Sequence, residues 1–258
     1  MQNRPSSTSK EKPRSQVVRS EITRLPRLTP GRRFIRRVII GLLRILVAVC
    51  TRTKFYGLEN VPPGGPVLVV SNHLGDVDVI IGVVGSPVIV EAMAKAELYD
   101  YPVIGRIMDA YGVIWVHRGQ PDRRALRAAL DGLQEGRMVA IAPEARESTT
   151  GALEQGTEGA AYLALKAGVP ILPVTFTGTE NARVYGNLKK LRRTEITMTV
   201  GNPFKLDDLV ERGEGISKAT EVIMCILAAQ LPERYRGVYR DFAGCEPVIA
   251  SREGPVGS

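Results

Sequence analysis

With 258 residues, 44% hydrophobic and 24% charged, the chain can form one large α/β domain with appendages, and a fibrous or wholly disordered protein is excluded. Cys50, Cys225 and Cys245 lie far apart with no CxxC pair, which argues for reduced thiols, a cytosolic face, and neither a disulfide framework nor a zinc site. The net charge of +8 is lopsided: residues 1–54 hold fourteen Lys/Arg against two Glu, a net +12, so residues 55–258 carry −4. A basic arm of this kind serves nucleic acid or an anionic membrane surface.

Residues 1–30 are polar, basic and punctuated by proline, and read as a disordered arm. No signal peptide is visible, because the first apolar run begins late and lacks a small-residue cleavage site. Residues 31–54 read as a helix lying in the membrane interface. Arg44 interrupts an apolar stretch that is already short for a span. Ile39, Ile40, Leu42, Leu43, Ile45, Leu46 and Val49 would face lipid or the domain, with Arg32, Arg33, Arg36, Arg37 and Arg52 at headgroup level. The alternative is a core helix. Nucleic acid is disfavoured, since no stacking aromatics accompany the basic cluster.

The segment VPPGGP at 61–66 predicts a turn that feeds residues 67–81, VLVVSNHLGDVDVII. A β-branched strand there breaks into a polar, glycine-containing loop and then turns apolar again as a short helix. Such strand ends carry the chemistry of α/β proteins. One of the two histidines, His73, sits in this loop beside Asp76 and Asp78, a combination suited to a general base. If His73 is helical, periodicity favours Asp76 as its partner; if it lies in the loop, Asp78 can reach back. Either aspartate could instead serve the helix N-terminus.

Further strands are predicted at 87–93, 111–119, 138–142, 169–174 and 195–200, with helices at about 101–108, 121–136, 156–168 and 216–231. Pro170 and Pro173 suggest an edge or an irregular start for the 169–174 strand. Residues beyond 245 read as a flexible tail, leaving 55–245 as the domain. The strand ends at 71–78, 117–118 and 143–147 are all polar, and in a mostly parallel sheet they gather at one edge. His73 with an aspartate, Arg118, and the Glu144–Arg146 group would together suit a base acting on an anionic substrate.

In their order, these motifs resemble the glycerophospholipid acyltransferase family over residues 35–240, most of all the 1-acylglycerol-3-phosphate acyltransferases. Asn72, His73 and Asp78 match NHX4D; Gly112, Ile114 and Arg118 match GxIxxxR; Val169, Pro170, Pro173 and Val174 match VPxxPV. Pro143, Glu144 and Arg146 match a PEGTR-like block, except that Ala145 stands where Gly is usual and either Arg146 or Glu147 can align with the arginine. The resemblance implies acyl transfer from acyl-CoA or acyl carrier protein, without other cofactor or metal, to lysophosphatidic acid on the cytoplasmic face of the plasma membrane. His73 would be the base and Asp78 its orienting carboxylate. Arg118 and Arg146 would hold the acceptor phosphate, with Lys95 as a further candidate. Glu144 would organise the arginines or contact glycerol hydroxyls. Asn72, Gly112 and Pro170 would be structural, and Asp76 a capping residue. Glycerol 3-phosphate, another lysophospholipid or a glycolipid are alternative acceptors, and a non-catalytic membrane-surface protein is the alternative class. A serine hydrolase is disfavoured because no GxSxG is present, and a metalloenzyme because there is no HExxH.

Overall fold

The computed structural model describes residues 21–117, 122–210, 214–241 and 245. A seven-stranded sheet runs in the order β1-β7-β6-β2-β5-β3-β4. Its strands are β1 (Thr51–Tyr56), β2 (Val67–Ser71), β3 (Val90–Lys95), β4 (Ile114–Val116), β5 (Met138–Ile141), β6 (Ile171–Thr177) and β7 (Thr194–Val200). The five strands from β6 to β4 are parallel; β7 runs against β6, and β1 follows β7. The α/β class and the mostly parallel sheet agree with the sequence.

Alternation along the inner strands divides the core in two. Leu68, Val70, Val139 and Ile171 face α4 (Arg123–Gln134), α5 (Gly159–Ala167) and α7 (Gly215–Gln230). Val67, Met138, Leu172 and Val174 face the other way, toward α1 (Pro30–Cys50) and α2 (Val77–Gly85). Next to α1 lies α3 (Ile104–Tyr111), and α6 (Asn181–Lys189) leads into β7. Asp122 starts α4 by accepting the N–H groups of Arg124 and Ala125, and Gly168 ends α5 in a left-handed turn.

The structure differs from the sequence reading at several places. Residues 51–54 are strand rather than helix, because α1 stops at Cys50 and Thr51 pairs with Thr194. Residues 21–29 pack on the domain: Thr23 is buried, and the Pro26 carbonyl accepts Arg137 Nη1 at 2.7 Å. The rest of the expected arm and the expected tail lie outside the described residues. β6 is an interior strand despite Pro173. Val174 pairs with Val200 and Ile171 bridges Phe204, so two residues of β6 face three of the returning chain, and this extra residue accommodates the missing N–H.

Arg36 is not at headgroup level. It is fully buried, forms a two-pronged pair with Glu91 at 2.7–2.9 Å, and donates to the carbonyls of Tyr111 and Gly112. A buried guanidinium stays charged, so a matched carboxylate and carbonyls are the arrangement that lets it enter a core. Elsewhere α1 is half covered: Leu43 and Val47 join the core, while Phe34, Leu42, Ile45 and Val49 are more than 60% exposed. Among the described residues no helix is long and apolar enough to cross a membrane.

The cysteine expectation is also corrected. Cys225 of α7 and Cys245 form a disulfide across twenty residues of sequence, and Cys50 is free. Residues 231–239 turn back along the domain, where Leu153 N–H donates to the Tyr235 carbonyl and Val238 N–H to the Leu153 carbonyl. That return brings Cys245 to within 5.2 Å of Cys225, Cα to Cα. Nothing in the spacing of the three cysteines announces it.

Candidate active site

β2 ends at Ser71 and α2 begins at Val77, so His73 lies in the loop between them and the helical alternative falls away. Asn72 fixes the start of this loop. Its side chain accepts Phe176 N–H at 2.8 Å and donates to Phe176 O at 3.0 Å, acting as one more ladder partner for β6. His73 Nδ1 meets Asp78 Oδ2 at 3.0 Å, and the same oxygen accepts the N–H groups of Leu74 and Gly75 at 2.6 and 2.9 Å. A carboxylate only accepts, so Nδ1 carries the proton and Nε2 presents its lone pair. Asp78 is 2% exposed and His73 9% exposed.

Gly75 is needed at its position, since a Cβ there would stand 2.5 Å from the Thr179 carbonyl oxygen. Asp76 does not cap α2 with its side chain. Instead it accepts the Tyr185 hydroxyl at 2.9 Å and lies 3.8 Å from Lys95 Nζ. Lys95 also pairs with Glu147 at 3.3 Å, and Glu147 in turn accepts the Asn181 amide. Lys95 therefore stands at the mouth beside two carboxylates.

The loop after β5 clasps the His73 turn on both sides. Glu144 Oε1 accepts His73 N–H at 3.0 Å, its Oε2 accepts Glu154 N–H at 2.8 Å, and the His73 carbonyl accepts Ser148 N–H at 2.7 Å. Burial pushes the Glu144 carboxyl up to about 7, against the pull of those two N–H donors. With both oxygens engaged inside the protein, Glu144 is an organiser of the loop and not a surface contact. Ala145 sits in the left-handed region with φ of 59°, the conformation that explains why glycine suits this place in the motif.

Arg146 lies between these two anchors. Nε and Nη2 bind Glu154 at 2.8 and 2.6 Å, and its side chain is 63% exposed. The Thr149 N–H and hydroxyl, with Arg146, hold the Glu154 carboxyl down at about 2. Glu154 was not legible as a site residue; its only sequence signal is a carboxylate a few residues after a candidate arginine. Arg118 lies outside the described residues. Gly112 and Pro170 occupy the N-terminal ends of β4 and β6, the sheet edge opposite His73, so they are structural at a distance from the site. Gly112 there has φ of 86°, and a Cβ at this position would run into Arg32 and Pro26.

From His73 a cavity of about 190 Å³ runs between the sheet and α2. Its walls are apolar, including Val69, Ala92, Ala140, Leu172, Val174 and Phe176, and its polar lining is confined to Ser71, His73, Asp78, Ser86 and Lys95. Among the described residues no group of three His, Cys, Asp or Glu side chains is arranged to hold a metal ion. The site therefore offers an oriented imidazole at the mouth of a slot suited to an alkyl chain, beside the exposed Arg146 and the half-buried Lys95.

Residues 52–177 match the family model described as Acyltransferase. The chain is 32% identical over 128 residues to 1-acyl-sn-glycerol-3-phosphate acyltransferase of Borreliella burgdorferi, covering 48% of this chain and 51% of that protein. It is 29% identical over 155 residues to the chloroplastic enzyme BAT2 of Brassica napus, covering 59% of this chain and 45% of that protein. The match thus spans about half the length of these curated relatives. The Bacillus subtilis 1-acyl-sn-glycerol-3-phosphate acyltransferase is 26% identical over 168 residues, covering 64% of this chain and 80% of that protein. The solved structure of PlsC, the 1-acyl-sn-glycerophosphate acyltransferase of Thermotoga maritima, shares the fold. Its TM-score is 0.55 at 23% identity, over 75% of this chain and 80% of that one. Residues 52–177 therefore match an acyltransferase domain, and across that region the chain is similar to curated 1-acyl-sn-glycerol-3-phosphate acyltransferases.

Proposed function

We propose that this chain moves a fatty acyl group from a thioester, acyl-CoA or acyl carrier protein, to the sn-2 hydroxyl of lysophosphatidic acid, giving phosphatidic acid. The observation that carries this reading is the His73–Asp78 pair at the mouth of an apolar slot. The relatives' printed activity supports the acceptor. In the reaction, His73 Nε2 takes the proton of the acceptor hydroxyl as its oxygen forms a bond to the thioester carbonyl carbon. The C–S bond then breaks, and the imidazolium returns the proton to the leaving thiolate. Asp78 holds the ring and stabilises its transient charge. Arg146, with Arg118 of the second motif, would hold the acceptor phosphate while the acyl chain fills the slot.

The exposed stripe of α1 favours action at an anionic membrane surface, peripherally bound. The Cys225–Cys245 bond removes the cysteine argument for the cytoplasmic face. A second acceptor reading is favoured by Asp76 and Glu147 beside Lys95, since paired carboxylates at the mouth suit a hydroxyl-rich or cationic headgroup. Purified protein incubated with a long-chain acyl-CoA, or the acyl carrier protein thioester, and a panel of lysophospholipids, glycerol 3-phosphate and glycolipids tests both. Thiol release with a new diacyl product is expected, greatest with lysophosphatidic acid and lost in His73→Ala. Equal turnover in that variant would sink the mechanism.

A further inference from the structure

The last two residues of α6 and the turn into β7 leave six consecutive residues exposed, 188–193, reading Leu-Lys-Lys-Leu-Arg-Arg. Leu191 is 94% exposed and held at φ of 52°. Glycine or asparagine meets that left-handed turn at lower cost, and neither places an apolar side chain in water. Leu188 beside it is 47% exposed. The six residues carry four cations and no carboxylate. An outward leucine pair ringed by Lys189, Lys190 and Arg192 has the make-up of a headgroup-penetrating tip, with apolar bodies to bury and cations to meet lipid phosphates.

The tip's position in the fold points the same way. Thr177 of β6 pairs with Thr197 of β7, and β7 begins three residues earlier, beyond the C-terminal end of β6. The tip therefore projects from the same sheet edge as His73. One turn before it, Tyr185 donates to Asp76 at the mouth of the site. Arg193 closes the other side, with Nη2 on the Ala48 carbonyl at 2.7 Å and Nε on the Thr51 carbonyl at 2.8 Å. These bonds set the tip against the C-terminal end of α1, next to its exposed Leu46 and Val49.

We propose that residues 188–192 form a second seat on an anionic lipid bilayer, with Leu188 and Leu191 entering the boundary between headgroups and acyl chains. The proposal rests on the membrane-surface reading of α1 and extends it to a surface remote in sequence, at the end of α6, so that two supports flank the mouth. The test is co-sedimentation of the full chain with phosphatidylcholine vesicles, with and without phosphatidylglycerol. Three variants are compared with the unaltered chain: Leu188→Ser/Leu191→Ser, Lys189→Ser/Lys190→Ser, and Leu42→Ser/Ile45→Ser in α1. The leucine variant is expected to lower partitioning onto anionic vesicles about tenfold. The lysine variant should lose most of the gain from phosphatidylglycerol, and thermal melts of both tip variants should match the unaltered chain. Tip variants that partition within twofold of the unaltered chain, while the α1 variant does not bind, would overturn the proposal and leave the membrane reading standing. Failure of the unaltered chain to bind either vesicle would sink the membrane reading and this proposal with it. Concentration-dependent self-association, lost in the tip variants with vesicle binding intact, would reassign the tip to a contact between copies.

Discussion

Asp78 reaches back five residues to place Oδ2 3.0 Å from His73 Nδ1, while the N–H groups of Leu74 and Gly75 hold the same oxygen. The carboxylate thus fixes both the ring and the loop that carries it. Asp78→Asn keeps the size and an accepting oxygen but removes the negative charge that strengthens these bonds and stabilises the imidazolium. We expect kcat to fall by about 10²–10⁴-fold with little change in KM for the donor. Asp76→Asn, at a side chain that accepts the Tyr185 hydroxyl and lies near Lys95, should change kcat by less than about threefold. Steady-state kinetics on both variants decides it.

Glu144→Gln replaces one of two accepting oxygens with a donor, so either His73 N–H or Glu154 N–H loses its partner. The cost of one orphaned buried donor is about 1–3 kcal/mol, and a misplaced His73 loop should lower kcat about tenfold or more. In the unaltered chain the carboxyl titrates at about 7, above its ordinary 4.5. A raised carboxyl favours the fold while protonated. Its contribution is therefore complete below pH about 4.5 and is lost as pH rises through about 7, with a magnitude of up to roughly 3 kcal/mol. Denaturant melts across that range should show this slope in the unaltered chain and not in Glu144→Gln.

Glu91→Gln strands the buried Arg36 charge, which has no water to turn to. About 3–5 kcal/mol of stability should go, whereas the surface pair Arg127–Asp131 should be worth less than about 1 kcal/mol when broken. Chemical denaturation of Glu91→Gln and Asp131→Asn makes the comparison.

Ala140→Phe puts a ring into the apolar slot below His73. If the donor chain lies there, long acyl-CoAs should lose kcat/KM by about tenfold relative to short ones. Parallel loss for all chain lengths would place the acyl group elsewhere. Competition between donors of different length reads this directly.

Cys245→Ser opens a loop of twenty residues, a change expected to cost about 3 kcal/mol by loop entropy. The variant's melting point under oxidising conditions should approach that of the unaltered chain in reductant.

Much of the site was legible because strands ending in polar residues gather at one edge whenever the sheet is parallel, and β2 and β5 do so here. The choice between Asp76 and Asp78 was not, because it turned on whether α2 began before or after His73, a matter of a few residues at a helix boundary. Arg36 misled for a related reason. Its neighbours in sequence are arginines at a membrane-like helix, while its partner Glu91 is 55 residues away and buried. Pro173 looked like an edge residue since the irregularity that absorbs it lies in the other strand, at 201–203. The disulfide and the Glu154 clamp on Arg146 likewise depend on chain returns that no local pattern encodes.

α1 is fastened near both ends, by Arg36 to Glu91 at one and, at the other, by Arg193 to the carbonyls of Ala48 and of Thr51 just beyond it. A helix bolted twice cannot hinge, so whatever it rests on fixes the attitude of the whole sheet. If, as proposed, the acceptor comes from a membrane plane and the donor from bulk solvent, the search then shrinks to sliding and spinning within that plane. Loosening either bolt should leave the chemistry of each encounter intact and make productive encounters rarer.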